Sequence, residues 1–170
     1  MAKANSSRSL DGAIIAPYPQ IPGQSGIAEY TGWNYGVTAS PAAFTGGTAN
    51  SRGDYDGTGM PLTLFTVTGV CLVKLFAICT VSLTGATATI EVGVAGNTAG
   101  LIAQTTATDL LAGEIWLDAS PTTMVESSVN VVEKIVAKNI IETLGTANVT
   151  AGNMIYYCYW YPLSADGLVA

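Results

Sequence analysis

Between residues 66 and 83 apolar side chains recur at alternate positions, with Val67, Cys71, Val73, Leu75, Ala77, Cys79, Val81 and Leu83 on one parity. A repeat of two residues belongs to a β-strand, because successive side chains of an extended chain point to opposite faces. The other parity mixes Val70, Leu72, Phe76 and Ile78 with Lys74, Thr80 and Ser82. One face is therefore expected to be buried throughout and the other in part. This describes a long central strand, or two strands bent at Gly69, covered on both sides by core or by a subunit contact.

The next segment alternates more cleanly. Ala88, Ile90, Val92 and Val94 point one way, and Thr87, Thr89, Glu91 and Gly93 the other, as in a strand with one wet face. Gly96-Asn97 supplies a turn, and residues 100–106 read as the returning strand. Further strands are expected at 114–119, 124–132, 135–144 and 153–162. Val125, Val129, Val132, Val136 and Ile140 also fit a helical spacing, but their β-branched character and the lack of a clear cap favour strand. The pattern predicts an all-β domain, a sandwich or jelly-roll-like fold, over residues 61–170.

Residues 1–60 have a different texture. Prolines at 17, 19, 22, 41 and the boundary position 61 account for five of the chain's seven, and ten glycines fall between Gly12 and Gly59. No apolar period persists there. Tyr18, Tyr30, Trp33, Tyr35 and Phe44 are nevertheless spread through the stretch, which a plain linker would not need. An extended, irregular N-terminal arm that gains order on another surface is expected, or short strands that complete the domain's sheet.

Composition narrows the chemistry. The 170 residues carry a net charge of −6 with no histidine, against 49% hydrophobic and 11% charged residues. An acidic chain with scattered bases is a poor match for nucleic acid, whose phosphates demand a basic field. Without histidine there is no Ser/His/Asp or Cys/His nucleophile, no imidazole base and no His-containing zinc site. The expectation is a protein that is not an enzyme and needs no cofactor or metal. Residues 1–16 lack a continuous apolar core of the kind a secretory signal has, and the apolar run 69–79 is short and broken by Lys74, so neither export nor membrane insertion is expected. Cys71 and Cys79 on one straight strand would stand roughly 26 Å apart at about 3.3 Å per residue, too far to pair. Three buried free thiols are the expectation, with a disulfide of Cys158 to either of the others as the alternative, and folding in a reducing cytoplasm is expected.

Several short motifs have a functional and a plain reading. Arg52-Gly53-Asp54 is a tripeptide that adhesive ligands present on turns, yet its setting reads as an ordinary solvated turn. Asp54 with Asp56, or Glu114 with Asp118, would need a cleft or converging oxygens to act as a glycosidase pair or calcium site, and surface acids explain them more simply. Gly93, Gly96 and Gly100 match no phosphate-binding fingerprint and read as turn residues. The closing run 155–162, Ile-Tyr-Tyr-Cys-Tyr-Trp-Tyr-Pro, puts aromatic rings on both faces of one strand, with Trp160 beside Tyr156 and Cys158 on one of them. One face would pack the core while the other meets a subunit, a partner or the arm; a sugar-stacking platform would use the same residues.

The runs Ile90-Glu91-Val92-Gly93-Val94-Ala95-Gly96-Asn97-Thr98-Ala99, Ala107-Thr108-Asp109-Leu110, Gly113-Glu114-Ile115-Trp116 and Asp118-Ala119-Ser120-Pro121, with 145–152 and Pro162-Leu163-Ser164-Ala165-Asp166-Gly167, make residues 62–168 resemble small head proteins of tailed bacteriophages. Such proteins are similar to capsid cement proteins: β-rich, frequently trimeric and seated over junctions between major capsid proteins. The resemblance implies a capsid decoration protein on the outer surface of the virion, made in the host cytoplasm. Its partners would be the major capsid protein and copies of itself in a homotrimer, with no nucleic acid and no membrane, and an arm would grip adjacent shell subunits. It carries no catalytic residues to transfer. The expected subunit or capsid contacts are Trp33, Tyr35, Phe44, Tyr157, Tyr159, Trp160 and Tyr161. A glycan-binding or adhesion module and a head-neck or tail structural protein are the alternatives, with a carboxylate-dependent hydrolase behind them.

Overall fold

The computed structural model describes residues 36–170. The described residues form twelve strands, all paired antiparallel: β1 (Gly36–Ala43), β2 (Leu62–Phe65), β3 (Val67–Thr68), β4 (Cys71–Thr84), β5 (Thr89–Val94), β6 (Asn97–Thr106), β7 (Glu114–Trp116), β8 (Thr122–Thr123), β9 (Lys134–Val136), β10 (Ile140–Gly145), β11 (Ala151–Pro162) and β12 (Leu168–Val169). A large sheet runs β1-β11-β4-β7-β8, with β9 also on β4; a smaller one runs β2-β10-β5-β6, and β12-β3 is a short ribbon. The two main sheets enclose one core, so the domain is the all-β sandwich that the alternation implies.

β4 owes its central place to its alternation. Cys71, Val73, Leu75, Ala77 and Cys79 are buried between the sheets, while Leu72, Lys74, Phe76 and Ile78 face the other way and stay half-buried. Neighbouring strands are matched to it by volume. Ala77 lies opposite Tyr156 on one side and Trp116 on the other, and its single methyl leaves room for the two rings to meet edge-on at 6.3 Å. Trp116 Nε1 then donates to Thr105 Oγ1 on the smaller sheet at 3.2 Å, so a buried indole also ties the layers together. The bend expected at Gly69 is real: its φ of 62° separates β3 from β4, and a Cβ there would lie 2.3 Å from Ser164 Oγ.

Three boundaries differ from the sequence reading. Of the two expectations for residues 1–60, the described part, 36–60, follows the second, strands that complete the domain's sheet, and not the arm: β1 pairs with β11 along its whole length, and Ala42 and Phe44 are buried. The glycines and Pro41 concealed this, because an edge strand tolerates proline and the loop after it needs glycine turns. The rest of the expected arm, residues 1–35, lies outside the described residues.

Residues 124–132 form no strand; they make a loop with a short 3-10 turn at Ser128–Asn130, and Val125, Val129 and Val132 project from it. The stretch 135–144 is not one strand but two, β9 in the large sheet and β10 in the small one, with the chain crossing between layers at exposed residues 137–139. The expected Cys arrangement holds: Cys71, Cys79 and Cys158 are buried free thiols. Burial pushes all three up in pKa, Cys158 to about 12, so none is a ready thiolate.

Candidate functional site

The Arg52-Gly53-Asp54 turn folds inward. Arg52 Nη1 lies 3.6 Å from Glu142 Oε2, with only 19% of its side chain exposed, and Tyr156 Oη donates to the same carboxylate oxygen at 2.7 Å. Glu142 comes from β10 and points between the sheets, where it is 1% exposed. Gly53 has φ 98°, its carbonyl accepts from Val149 N at 2.8 Å, and a Cβ would sit 2.1 Å from Val149 O. Asp54 Oδ2 accepts from Asn50 N at 2.8 Å. The tripeptide therefore closes one end of the sandwich, and its two charges are not displayed side by side. Burial pushes the Glu142 carboxyl up, opposed by Arg52 and the Tyr156 hydrogen bond, and burial next to Glu142 pushes the Tyr156 phenol well up.

The remaining acids serve their own turns. Asp56 accepts from Thr58 N at 2.7 Å and from Thr58 Oγ1 at 2.6 Å, and these bonds hold its carboxyl below the usual value. Asp118 accepts from Ser120 N at 2.7 Å, and Glu114 from Thr123 Oγ1 at 2.8 Å across the β7–β8 pair. Among the described residues no group of three His, Cys, Asp or Glu side chains is arranged to hold a metal. A tight turn joins β5 and β6 as expected, but its two residues are Ala95-Gly96; Asn97 already belongs to β6 and pairs with Val94.

Two apolar surfaces remain. The first is the outer face of the large sheet. Rungs run Val37–Tyr159–Lys74, Ala39–Tyr157–Phe76 and Pro41–Ile155–Ile78 across β1, β11 and β4. Phe76 stacks on Tyr157 at 5.3 Å and on Tyr159 at 6.0 Å. Of the expected contact residues, Tyr157, Tyr159 and Tyr161 belong to this outward parity, whereas Trp160 and Phe44 do not. Trp160 is 6% exposed, with Nε1 donating to Thr38 Oγ1 at 3.2 Å, and Phe44 is 3% exposed. Both pack in the core of the sandwich and not on its outer face. Trp33 and Tyr35 lie outside the described residues.

The second surface is one that the alternation pattern does not announce. Met124, Val125, Val129, Val132 and Ile135 are each at least 60% exposed within twelve residues of chain. The loop that carries most of them is held in shape by Glu126, which accepts from Thr122 Oγ1, Ser127 N and Asn130 Nδ2, each at 2.7 Å, bonds that also hold its carboxyl below the usual value. Beside it lies a groove of about 350 Å³ whose wall includes Leu75, Leu101, Leu117, Val129 and Val132. Lys134 Nζ closes one end by donating to Gly100 O at 2.7 Å and Leu101 O at 3.1 Å on β6. The available sequence signal is the break in alternation at Glu126-Ser127-Ser128, which a strand would not place in the middle of a buried face.

No helix among the described residues is long and apolar enough to cross a membrane. Comparison with family models, with curated proteins and with solved structures finds no match to this chain.

Proposed function

We propose that this chain is a capsid decoration protein of a tailed bacteriophage, a binding protein and not an enzyme. It sits on the outside of the head as a homotrimer and clamps the major capsid protein lattice. The observation that carries this reading is the row of exposed apolar side chains on the 124–135 loop, held in one shape by Glu126 on a rigid β-scaffold. An exposed apolar patch of this kind marks a protein contact, and a preorganised loop loses little entropy on docking. A shell presents the same site many times, so modest contacts add up through effective concentration. The net charge of −6 keeps the protein off nucleic acid. The test is co-sedimentation with purified heads lacking the protein. The unmodified chain is expected to saturate its sites, and the Val125→Asp, Val129→Asp double variant to lose binding with its fold intact; equal occupancy by both overturns this assignment of the contact.

The stacked rings of Phe76, Tyr157 and Tyr159 support a second reading, a glycan-binding or adhesion module. Binding on a glycan array that disappears in Tyr159→Ala would establish it. Trp160 is not the residue to test, since its indole is in the core.

A further inference from the structure

We propose that the groove beside the 124–135 loop is an anchor site for a protein segment in which an apolar side chain stands next to a lysine or arginine. The inference rests on the decoration reading only for the source of that segment, the major capsid protein; its chemistry follows from the groove itself. Leu75 and Leu117 in the wall are 6% and 8% exposed, whereas Val129 and Val132 are 78% and 60% exposed, so one apolar surface runs from the core out to solvent. The volume of about 350 Å³ lies within the roughly 300–1,000 Å³ of sites that bury a ligand. Glu126 fixes the loop on one side, and Lys134 ties β9 to β6 on the other. An occupant therefore meets a slot that is already formed, the setting in which one inserted side chain dominates an interface.

The polar groups give the slot a direction. Lys134 Nζ is spent on Gly100 O and Leu101 O, whereas Asp118 is fastened near Thr105, whose Oγ1 donates to the Asp118 backbone carbonyl at 3.3 Å. Leu101 and Thr105 are four residues apart on β6, about 13 Å at about 3.3 Å per residue. One end thus holds a cation already taken up by carbonyls, and the other a carboxylate. Asp118 is exposed; its Oδ1 accepts from Ser120 N at 2.7 Å, and among the described residues nothing donates to Oδ2. Asn130, also in the wall, gives Nδ2 to Glu126 Oε1 and so adds an acceptor oxygen. Acceptors at one end of an apolar slot call for an ammonium or guanidinium group. The charges elsewhere agree: the four cations among the described residues, Arg52, Lys74, Lys134 and Lys138, are engaged with Glu142, with Glu133 or with backbone carbonyls. An anionic segment would bring its charge against Asp118, and a wholly apolar one would cover that carboxylate without pairing it. A lysine or arginine beside the apolar anchor avoids both, with its stem on the apolar wall and its head at Asp118.

The test titrates the full chain, labelled at its leucine and valine methyls, with phenethylammonium, 2-phenylethanol and phenylacetate, read by NMR. The three probes share a phenyl ring and a short arm and differ in charge. The expected shifts fall on Leu101, Leu117, Val129 and Val132, with a dissociation constant for the cation at least about threefold below that of the alcohol, and phenylacetate weaker than both. Asp118→Asn keeps an oxygen for Ser120 N and is expected to erase the cation's advantage at unchanged circular dichroism, leaving the alcohol's binding as it was. Asp56→Asn, which removes the same charge from the 56–58 turn, is expected to preserve that advantage. Equal binding of cation and alcohol, shifts that miss the groove, or an advantage that survives Asp118→Asn would overturn the proposal. Co-sedimentation of Asp118→Asn with heads is read on the same preparations, with reduced occupancy expected. Full occupancy beside intact probe selectivity would remove the capsid protein as the source of the segment and leave the chemistry of the groove standing.

Discussion

The Arg52–Glu142–Tyr156 cluster and the 124–135 loop invert the usual distribution of polar and apolar groups: a carboxylate sits between the sheets, while four valines and isoleucines and a methionine stand in solvent. The cluster joins the connection after β1 to β10 and β11, whereas the exposed residues lie on one continuous stretch just before β10, and the two work in opposite ways. The buried cluster ties a loop, β10 and β11 together through one shared oxygen, so its loss is felt as stability. The exposed loop has its polar groups satisfied internally by Glu126 and leaves its apolar side chains uncommitted, so its loss should be felt only as binding. Composition alone would assign the roles the other way round.

The most severe way to break this comparison is to remove residues 1–56. That deletion strips β1, Phe44 and Arg52 from the sandwich. Loss of one buried Phe side chain costs about 3–5 kcal/mol, and the edge strand adds to it, which consumes most of a domain's usual margin. A cooperative thermal transition should be absent by calorimetry; a transition like that of the full chain would show that 36–56 is dispensable.

Arg52→Ala is next. It leaves Glu142 buried without its cation, a loss of about 2–4 kcal/mol that is limited because the carboxyl can take up a proton instead. Urea titration at neutral pH would measure it. The Arg52→Met, Glu142→Leu double variant should recover most of that loss, since a packed apolar pair removes the desolvation cost. Tyr156→Phe, which deletes only the donor to Glu142, should cost about 2 kcal/mol.

A smaller effect follows pH. The folded Glu142 pKa is raised above 4.5, so the native state holds this proton more tightly than the unfolded chain. The favourable contribution is complete below 4.5 and is lost as pH rises through the folded value. The melting temperature of the wild type should therefore fall across that window relative to Glu142→Gln, which has no such proton to lose; parallel profiles would contradict it. Smallest for stability is Val125→Asp, with a change within about 0.5 kcal/mol, because the side chain it replaces is 81% exposed. A larger loss would mean that the loop belongs to the core after all and would collapse the contrast between the two regions.

Much of the sandwich is legible in the sequence because strand side chains alternate strictly. The parity of 66–83, 88–94 and 153–162 assigns Val73, Ile90, Tyr156 and Trp160 to a common inner side, and there they are. The same parity separates Trp160 from Tyr159, so a grouping of the C-terminal aromatics by ring chemistry alone mixes a core residue with surface ones. The valine-rich stretch 124–132 resembles a strand because β-branched residues score alike whether they pack on the chain's own core or on another surface. Glu142 gives no sign of its burial: in Ile140-Ile141-Glu142-Thr143-Leu144 it shares the inner parity with Ile140 and Leu144, but its partners lie 90 positions upstream and 14 downstream in the chain.

By itself, then, the sequence determined the fold class, the two faces of β4 and β11 and that Cys71 and Cys79 stand too far apart to pair, since each follows from local alternation, turn chemistry and chain reach. The tertiary structure alone decided that 36–60 joins the sandwich, that 135–144 divides between two sheets, and which apolar residues are left outside. Those outcomes depend on which strands become neighbours, and pairing between distant segments is set by how volumes and buried polar groups can be satisfied together, which no local pattern contains.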